Sequence, residues 1–466
     1  MLLVIGGIGW GLYSVATGDH LTTVLDRTPP RVTLPTGAVG IGNEPVRFSV
    51  ALGDEGAGIG AVVVQVTQNG ETREVLAKTF AVPRDEEVFE IELAARALKL
   101  GEGAAELTVR VVDDSVWSTE TVATTSLAVD YGRPKLEVLS LQHVASVGGA
   151  EFVVFRARDA GLAATGVTVG GVDFPAFELA TFAAEVPAGR DLYGALFALP
   201  LDFKSGAPIE VYARDGAGNV ARSPLMFRIE PGRPVEVNSK LTVPFLEAKM
   251  PELMDKFVAA ADNAERPDLS TPEGLRASFR FINEDYRAIL NEKLRRLFES
   301  PLTPRRWTNE VFLRPMPAAT SSVFGERRAY SLDGTPVSTS LHNGVDLAST
   351  GNAPVQAVQN GTVVMAEDLG IYGNTVVIDH GAGLFSLYGH LATMLVDVGA
   401  TVDRGVTIGR TGTTGLAGGD HLHFEFRVRN VPVIPIEWWD AKWLTDNIAG
   451  KVAAAVEMTA PSANPT

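Results

Sequence analysis

No cysteine occurs in the 466 residues of the chain. That excludes a disulfide framework and a thiolate zinc site, so any metal must be held by His, Asp or Glu. Cationic side chains are in deficit: 40 Lys and Arg stand against 56 Asp and Glu, a formal net charge of −16. The average field would repel nucleic-acid phosphate, and no nucleic-acid partner is expected. Histidine is scarce, with seven in all, and none stands in a His-Glu-x-x-His sequence. The general base of the common helical zinc proteases is therefore absent. What is present is globular in character, 45% hydrophobic and 21% charged, with length enough for about three domains.

The chain begins with an uncharged run, Met1 to Ala16. Residues 1–18 are read as a signal sequence or membrane anchor, with the uncleaved anchor preferred because a positive n-region is missing. Three proline joints follow: Thr28-Pro29-Pro30, Gly132-Arg133-Pro134 and Gly232-Arg233-Pro234. Their spacing of about a hundred residues is that of one immunoglobulin-like sandwich. Between the joints the hydrophobic period is two. Val46, Phe48, Val50 and Leu52 share a face, as do Val62, Val64 and Val66 before an Asn69-Gly70 hairpin turn, and Leu107, Val109 and Val111. Val211 to Val220 resembles the late hairpin of bacterial Ig-like modules. Residues 28–131 and 132–233 are thus expected to be Ig-like domains without catalytic spacing.

Over 240–305 the pattern becomes helical. Ser270-Thr271-Pro272-Glu273 offers a capping box, and Leu275, Phe279, Ile282, Tyr286, Leu290, Leu294 and Leu297 recur every three or four residues. This stripe must be buried, either among helices, on the second sandwich, or beside the groove of the domain that follows, where it would restrain activity. Residues 449–466, rich in Ala, Pro and Ser, are expected to be disordered.

Five of the seven histidines, His342, His380, His390, His421 and His423, fall within 82 consecutive residues. His421-Leu422-His423 lies in an apparent strand, where side chains two apart share a face at about 6.6 Å. One ring could bind a metal while the other reaches its bound water. His342-Asn343-Gly344-Val345-Asp346 adds a nitrogen and a carboxylate, which would stand about 13 Å apart on a straight strand and so require a bend. Two imidazoles and a carboxylate with an open fourth position is the pattern of catalytic zinc. Proton transfer is then left to histidine, with His421 and His390 as candidates.

These stretches, His342-x-x-x-Asp346, Tyr388-Gly389-His390-Leu391 and Gly418-Gly419-Asp420-His421-Leu422-His423-Phe424-Glu425, resemble the signature of the lysostaphin/LytM-type zinc peptidases. The resemblance covers about 135 residues and implies an all-β peptidase domain over 306–448. It implies Zn2+ on His342, Asp346 and His423, and catalytic roles for His390 and His421. His380 matches a position that is not catalytic. None of the five positions departs from the pattern, unlike degenerate relatives that only activate other wall enzymes. The Gly-rich stretch Val398 to Gly405 also resembles carrier-domain hairpins, but such a domain has no use for the histidines.

The expected fold class is mainly β and multi-domain: two Ig-like β-sandwiches, a helical insert and a LytM-type peptidase domain. The expected function is zinc-dependent endopeptidase cleavage of peptidoglycan stem-peptide cross-links, with a noncatalytic wall-binding or amidase-activating protein as the alternative. The expected location is the cell envelope, anchored in the inner membrane with the domains facing the periplasm or exterior. No division or wall-synthesis partner is identified.

Overall fold

A computed structural model describes residues 26–459 apart from 185, 233–234, 262–264 and 309. The predicted anchor over 1–18 lies outside the described residues. Among them no helix is long and apolar enough to cross a membrane. The fold is mainly β and divides into two units, one of residues up to 135 with 158–164 and 213–221, the other of the remainder.

In the first unit, alternation becomes a two-sheet body. Arg31–Thr33, Val46–Gly53 and Glu86–Leu93 form one antiparallel sheet. The other has five strands, with Gly103–Asp113 and Ile59–Gln68 at its centre. Val62, Val64, Val66, Leu107, Val109 and Val111 are fully buried between them, as period two requires. Gln68 pairs with Glu71 across a two-residue turn in which Asn69 and Gly70 have φ of 53° and 81°. That is the turn chemistry Asn-Gly was expected to supply.

The second unit contains a sheet built on Ala150–Arg158 and Leu192–Ala198, then the helices and a large C-terminal sheet. Helices Val243–Ala260 and Pro272–Phe281 are capped by Thr242 and Thr271, whose hydroxyls accept from the Phe245 and Gly274 N–H groups. A π turn, Ile282–Tyr286, links the second helix to a third, Arg287–Phe298. Six of the seven predicted stripe residues are buried, and Leu297 is partly so. They share one core with Leu369, Ile371, Tyr372, Val377, Phe385 and Leu387 of the following domain. The helices therefore complete that domain's core. Before them, Val235–Leu241 pairs in parallel with Glu326–Leu332, a contact across some ninety positions that local pattern could not announce.

The last domain is a ten-stranded sheet whose central path runs through Val345–Ala348, Leu422–Val428, Leu384–Met394 and Asn374–Gly381. The expectation of disorder over 449–466 is corrected for 450–459, which form a helix, Gly450–Thr459. Val452 and Ala455 are buried, and the Lys451 ammonium, also buried, bonds the Glu151 carboxylate and the Phe152 carbonyl. Alanine's helix propensity and one buried face decide against disorder here; composition alone could not reveal the receiving surface.

Candidate metal centre

Asp346 and His423 are directly opposite each other on antiparallel strands, in the register Val345 with Phe424, Asp346 with His423 and Leu347 with Leu422. Such cross-strand neighbours have Cβ atoms about 5 Å apart, within reach of one ion. His342 enters from the turn before Asp346, where the strand Thr335–Leu341 ends. The bend it needs depends on Gly344: a Cβ there would lie 2.3 Å from the Phe424 carbonyl oxygen. Three ligand atoms converge. His342 Nε2 is 3.0 Å from Asp346 Oδ1 and 3.1 Å from His423 Nδ1, and His423 Nδ1 is 2.9 Å from Asp346 Oδ1.

The outer contacts decide what this convergence means. His342 Nδ1 lies 2.9 Å from the Val323 carbonyl oxygen, and His423 Nε2 lies 2.9 Å from Glu425 Oε1. Each of those nitrogens must carry the proton, because its partner can only accept. In the neutral rings the inward nitrogens are then unprotonated and present their lone pairs. Two lone pairs and a carboxylate oxygen face one another, an arrangement that repels unless a cation sits among them. A tetrahedral shell at zinc–ligand distances of 2.0–2.1 Å has an edge of about 3.4 Å, close to these separations. The three residues thus fit a metal ion, and their ligand atoms all lie within 4.8 Å of one another.

Without a cation the site takes up a proton in its place. Burial pushes the His423 imidazole down, but its bonds to Asp346 and Glu425 outweigh this and raise it to about 9. Burial raises Asp346, yet His342 and His423 hold its carboxyl well below the usual range. The set calls for positive charge. Glu425, pushed up by burial, is brought down to about 2 by the Arg427 charge and the His423 bond. Arg427 donates to Glu425 Oε2 at 2.6 Å, and Arg328 donates to Asp346 Oδ2 at 3.1 Å. Neither arginine nor Glu425 was singled out from sequence. The signal for two of them was available, since 421, 423, 425 and 427 share one face of a strand.

His390 and His421 stand beside the triad. Their ring centroids are 4.8 Å apart, and His390 is 5.8 Å from His423. Each spends Nδ1 on a carbonyl, Thr414 at 2.9 Å and Gly419 at 2.8 Å, which leaves Nε2 with its lone pair. His390 sits where one extra residue interrupts the pairing of its strand with Asn374–Gly381, at a φ of 60°. A bulge of this kind re-aims a side chain at some cost in backbone strain. Burial, then the charges of His421 and His423, hold His390 well below its usual range and keep it neutral. His380 is elsewhere, bonded to the Asn360 carbonyl at 2.8 Å and Ser386 Oγ at 2.7 Å.

All five predicted residues line one cavity of about 390 Å³. Phe245, Phe279 and Arg287 of the helices line it too, and Lys249 Nζ reaches the Thr413 carbonyl.

Residues 340–435 match the model of Peptidase family M23. Over 115 residues the chain is 42% identical to the peptidoglycan DD-endopeptidase ShyA of Vibrio cholerae serotype O1, covering 24% of this chain and 26% of that protein. Over 96 residues it is 40% identical to the DD-carboxypeptidase/endopeptidase Mpg of Neisseria meningitidis serogroup B, covering 21% and 22% respectively. It is also 37% identical over 95 residues to the murein hydrolase activator EnvC of Escherichia coli, covering 20% and 23%. The matched stretch is about a quarter of the length of these relatives.

Proposed function

From its C-terminal peptidase family M23 domain, we propose that the chain is a zinc-dependent endopeptidase that hydrolyses peptide cross-links of bacterial peptidoglycan. The observation that carries this reading is the convergence at the triad: His342 Nε2, His423 Nδ1 and Asp346 Oδ1 meet within about 3 Å, while the outer nitrogen of each imidazole is spent on a fixed acceptor. These three residues would hold the zinc ion. When bound, zinc polarises a scissile carbonyl and lowers the pKa of a bound water toward about 7. His390 and His421, each with an uncommitted Nε2, take up a proton and stabilise developing charge beside it. Arg328 and Glu425 keep Asp346 and His423 oriented. The peptidoglycan substrate is supported by the similarity to ShyA and Mpg.

We read the two β modules as Ig-like spacers, on the two-sheet body of the first and the spacing of the joints. With the anchor expected over 1–18, they would hold the peptidase in the cell envelope, facing the periplasm or exterior.

The similarity to EnvC favours a second reading, an activator that binds through its groove without hydrolysis. An activator needs neither His390 nor His421. Wall sacculi digested with the zinc-loaded chain, followed by mass spectrometry of the released ends, separate the two. New peptide termini at cross-links are expected. Intact cross-links together with stimulation of an added amidase would replace the peptidase reading by the activator.

A further inference from the structure

Asp26, Asp54 and Asp113 bring one ligand oxygen each to within 4.8 Å of one another in the first unit. Two oxygens on a calcium shell of 2.3–2.6 Å radius lie at most about 5 Å apart, so these could share one ion. Proximity alone would mean little, since carboxylates often gather on surfaces. Asp54, however, is only 4% exposed. Its Oδ1 accepts from the Gly56 and Gly58 N–H groups at 2.8 and 3.0 Å, whereas its Oδ2 is buried and has no hydrogen-bond partner. Asp113 is likewise 4% exposed, and among the described residues no lysine or arginine pairs with any of the three. Gly56 permits the approach: a Cβ there would stand 2.0 Å from Asp26 Oδ2. A donor-free carboxylate oxygen buried beside two other carboxylates is costly unless positive charge accompanies it.

The chain contains its own control. Asp130, Asp159 and Asp215 form a second such cluster in the same unit. Its spacing of 29 and 56 positions nearly repeats the 28 and 59 of the first. In it, Asn219 Nδ2 donates to Asp215 Oδ2 and to the Asp130 carbonyl, both at 2.9 Å. A side-chain amide supplies the donors there. The residue four after Asp113 is instead Trp117, half exposed, with the Arg27 guanidinium 4.5 Å over its ring. In the first cluster Asp113 accepts instead from the Thr119 and Ser115 hydroxyls, at 2.6 and 2.9 Å, and Asp54 Oδ2 is the oxygen left without a donor.

We propose that Asp26, Asp54 and Asp113 bind one divalent cation of the calcium class, joining the segment before Pro29 to two loops of the first β module. All-oxygen, carboxylate-rich donors select a hard cation, and calcium tolerates irregular geometry better than magnesium. Water and backbone carbonyls would complete the shell. The site is independent of the zinc centre and of the peptidase reading.

Trp117 makes the test direct, because a terbium ion at the cluster would be excited through its indole. The full chain, zinc-loaded so that the triad is occupied, is titrated with terbium and then with calcium or magnesium. Expected is a saturable sensitised emission, displaced by calcium with an apparent Kd of about 10⁻⁴–10⁻³ M and at least tenfold less well by magnesium. Asp54→Asn and Asp113→Asn should each weaken binding at least tenfold, and Asp130→Asn should leave it unchanged. Should Asp54→Asn fail to fold by circular dichroism, Asp26→Asn, at a less buried position, gives the same reading. Absence of a saturable, calcium-displaceable signal, or its persistence in the Asp26 and Asp113 variants, overturns the proposal. Displacement by magnesium as readily as by calcium overturns the assignment to the calcium class.

Discussion

His380 and the four histidines of the cavity belong to the same domain and differ in what their rings have left to give. His380 has both nitrogens spent, on the Asn360 carbonyl and on Ser386 Oγ, and Ser386 in turn meets the Tyr388 hydroxyl, which accepts from the Val358 N–H. That network closes on itself. His342, His390, His421 and His423 each have one nitrogen spent on a fixed acceptor, and each lines the one cavity. Burial does not separate the groups, since His342, His380, His390 and His423 are all buried. The shared cavity does. A histidine with a free nitrogen beside others like it can bind or transfer, whereas one in a closed network can only hold the fold.

The largest break in this comparison should come from the triad. His342→Ala, Asp346→Ala and His423→Ala should each reduce zinc to roughly a tenth of the wild-type content or less, because a three-ligand site cannot spare one. Metal analysis of the folded variants checks this, and near-stoichiometric zinc in one of them would remove that residue from the site. Next come His390→Ala and His421→Ala, which should retain zinc and lose about 10²–10⁴-fold in turnover of a cross-linked peptide. If either lost zinc instead, the division between ligands and proton carriers would be redrawn.

A smaller effect sharpens the comparison from outside the triad. Glu425→Gln can no longer hold the His423 Nε2 proton with a charge, and should lower zinc affinity by about 10–100-fold. Competition against a chelator of known affinity reads this without any assay of activity. Unchanged affinity would mean that the strand alone fixes the ring.

Glu425 also marks the limit of what local sequence carries. Histidine spacing, the Asn69-Gly70 turn and the helical stripe are local patterns, and each was legible, whereas the expected capping box over Ser270 to Glu273 gives way to a cap one residue later, Thr271 accepting from the Gly274 N–H. The roles of Glu425, Arg427 and Arg328 depend on partners that only folding brings near. The parallel pairing of Val235–Leu241 with Glu326–Leu332 and the surface that orders Gly450–Thr459 are likewise nonlocal. His390 is a mixed case: its identity was legible, but the left-handed backbone that aims its ring was not.

The smallest effect on function, and the cleanest on stability, should come from His380→Gln. Burial pulls the His380 imidazole down to about 4, with only partial relief from the Asn360 carbonyl. The unfolded chain, with an ordinary histidine, takes up its proton first as pH falls below about 6.5. Between there and about 4 the unfolded state binds more protons, so stability falls with falling pH, and the His380 contribution is present in full only above that window. The displacement corresponds to roughly 3 kcal/mol. Glutamine does not titrate, so the variant should lack this part of the slope while showing its own constant loss from the broken network. Because a chain of two units need not unfold in one step, hydrogen exchange at the Val377 and Leu387 amides, corrected for intrinsic rates, is the suitable measurement. Zinc loss and other histidines act on both proteins, and the difference between them isolates residue 380. Zinc content and turnover at pH 7 should stay near wild type. Parallel pH curves in the two proteins would show that His380 titrates normally in the fold, and the contrast between a closed and an open histidine group would fail at its closed end.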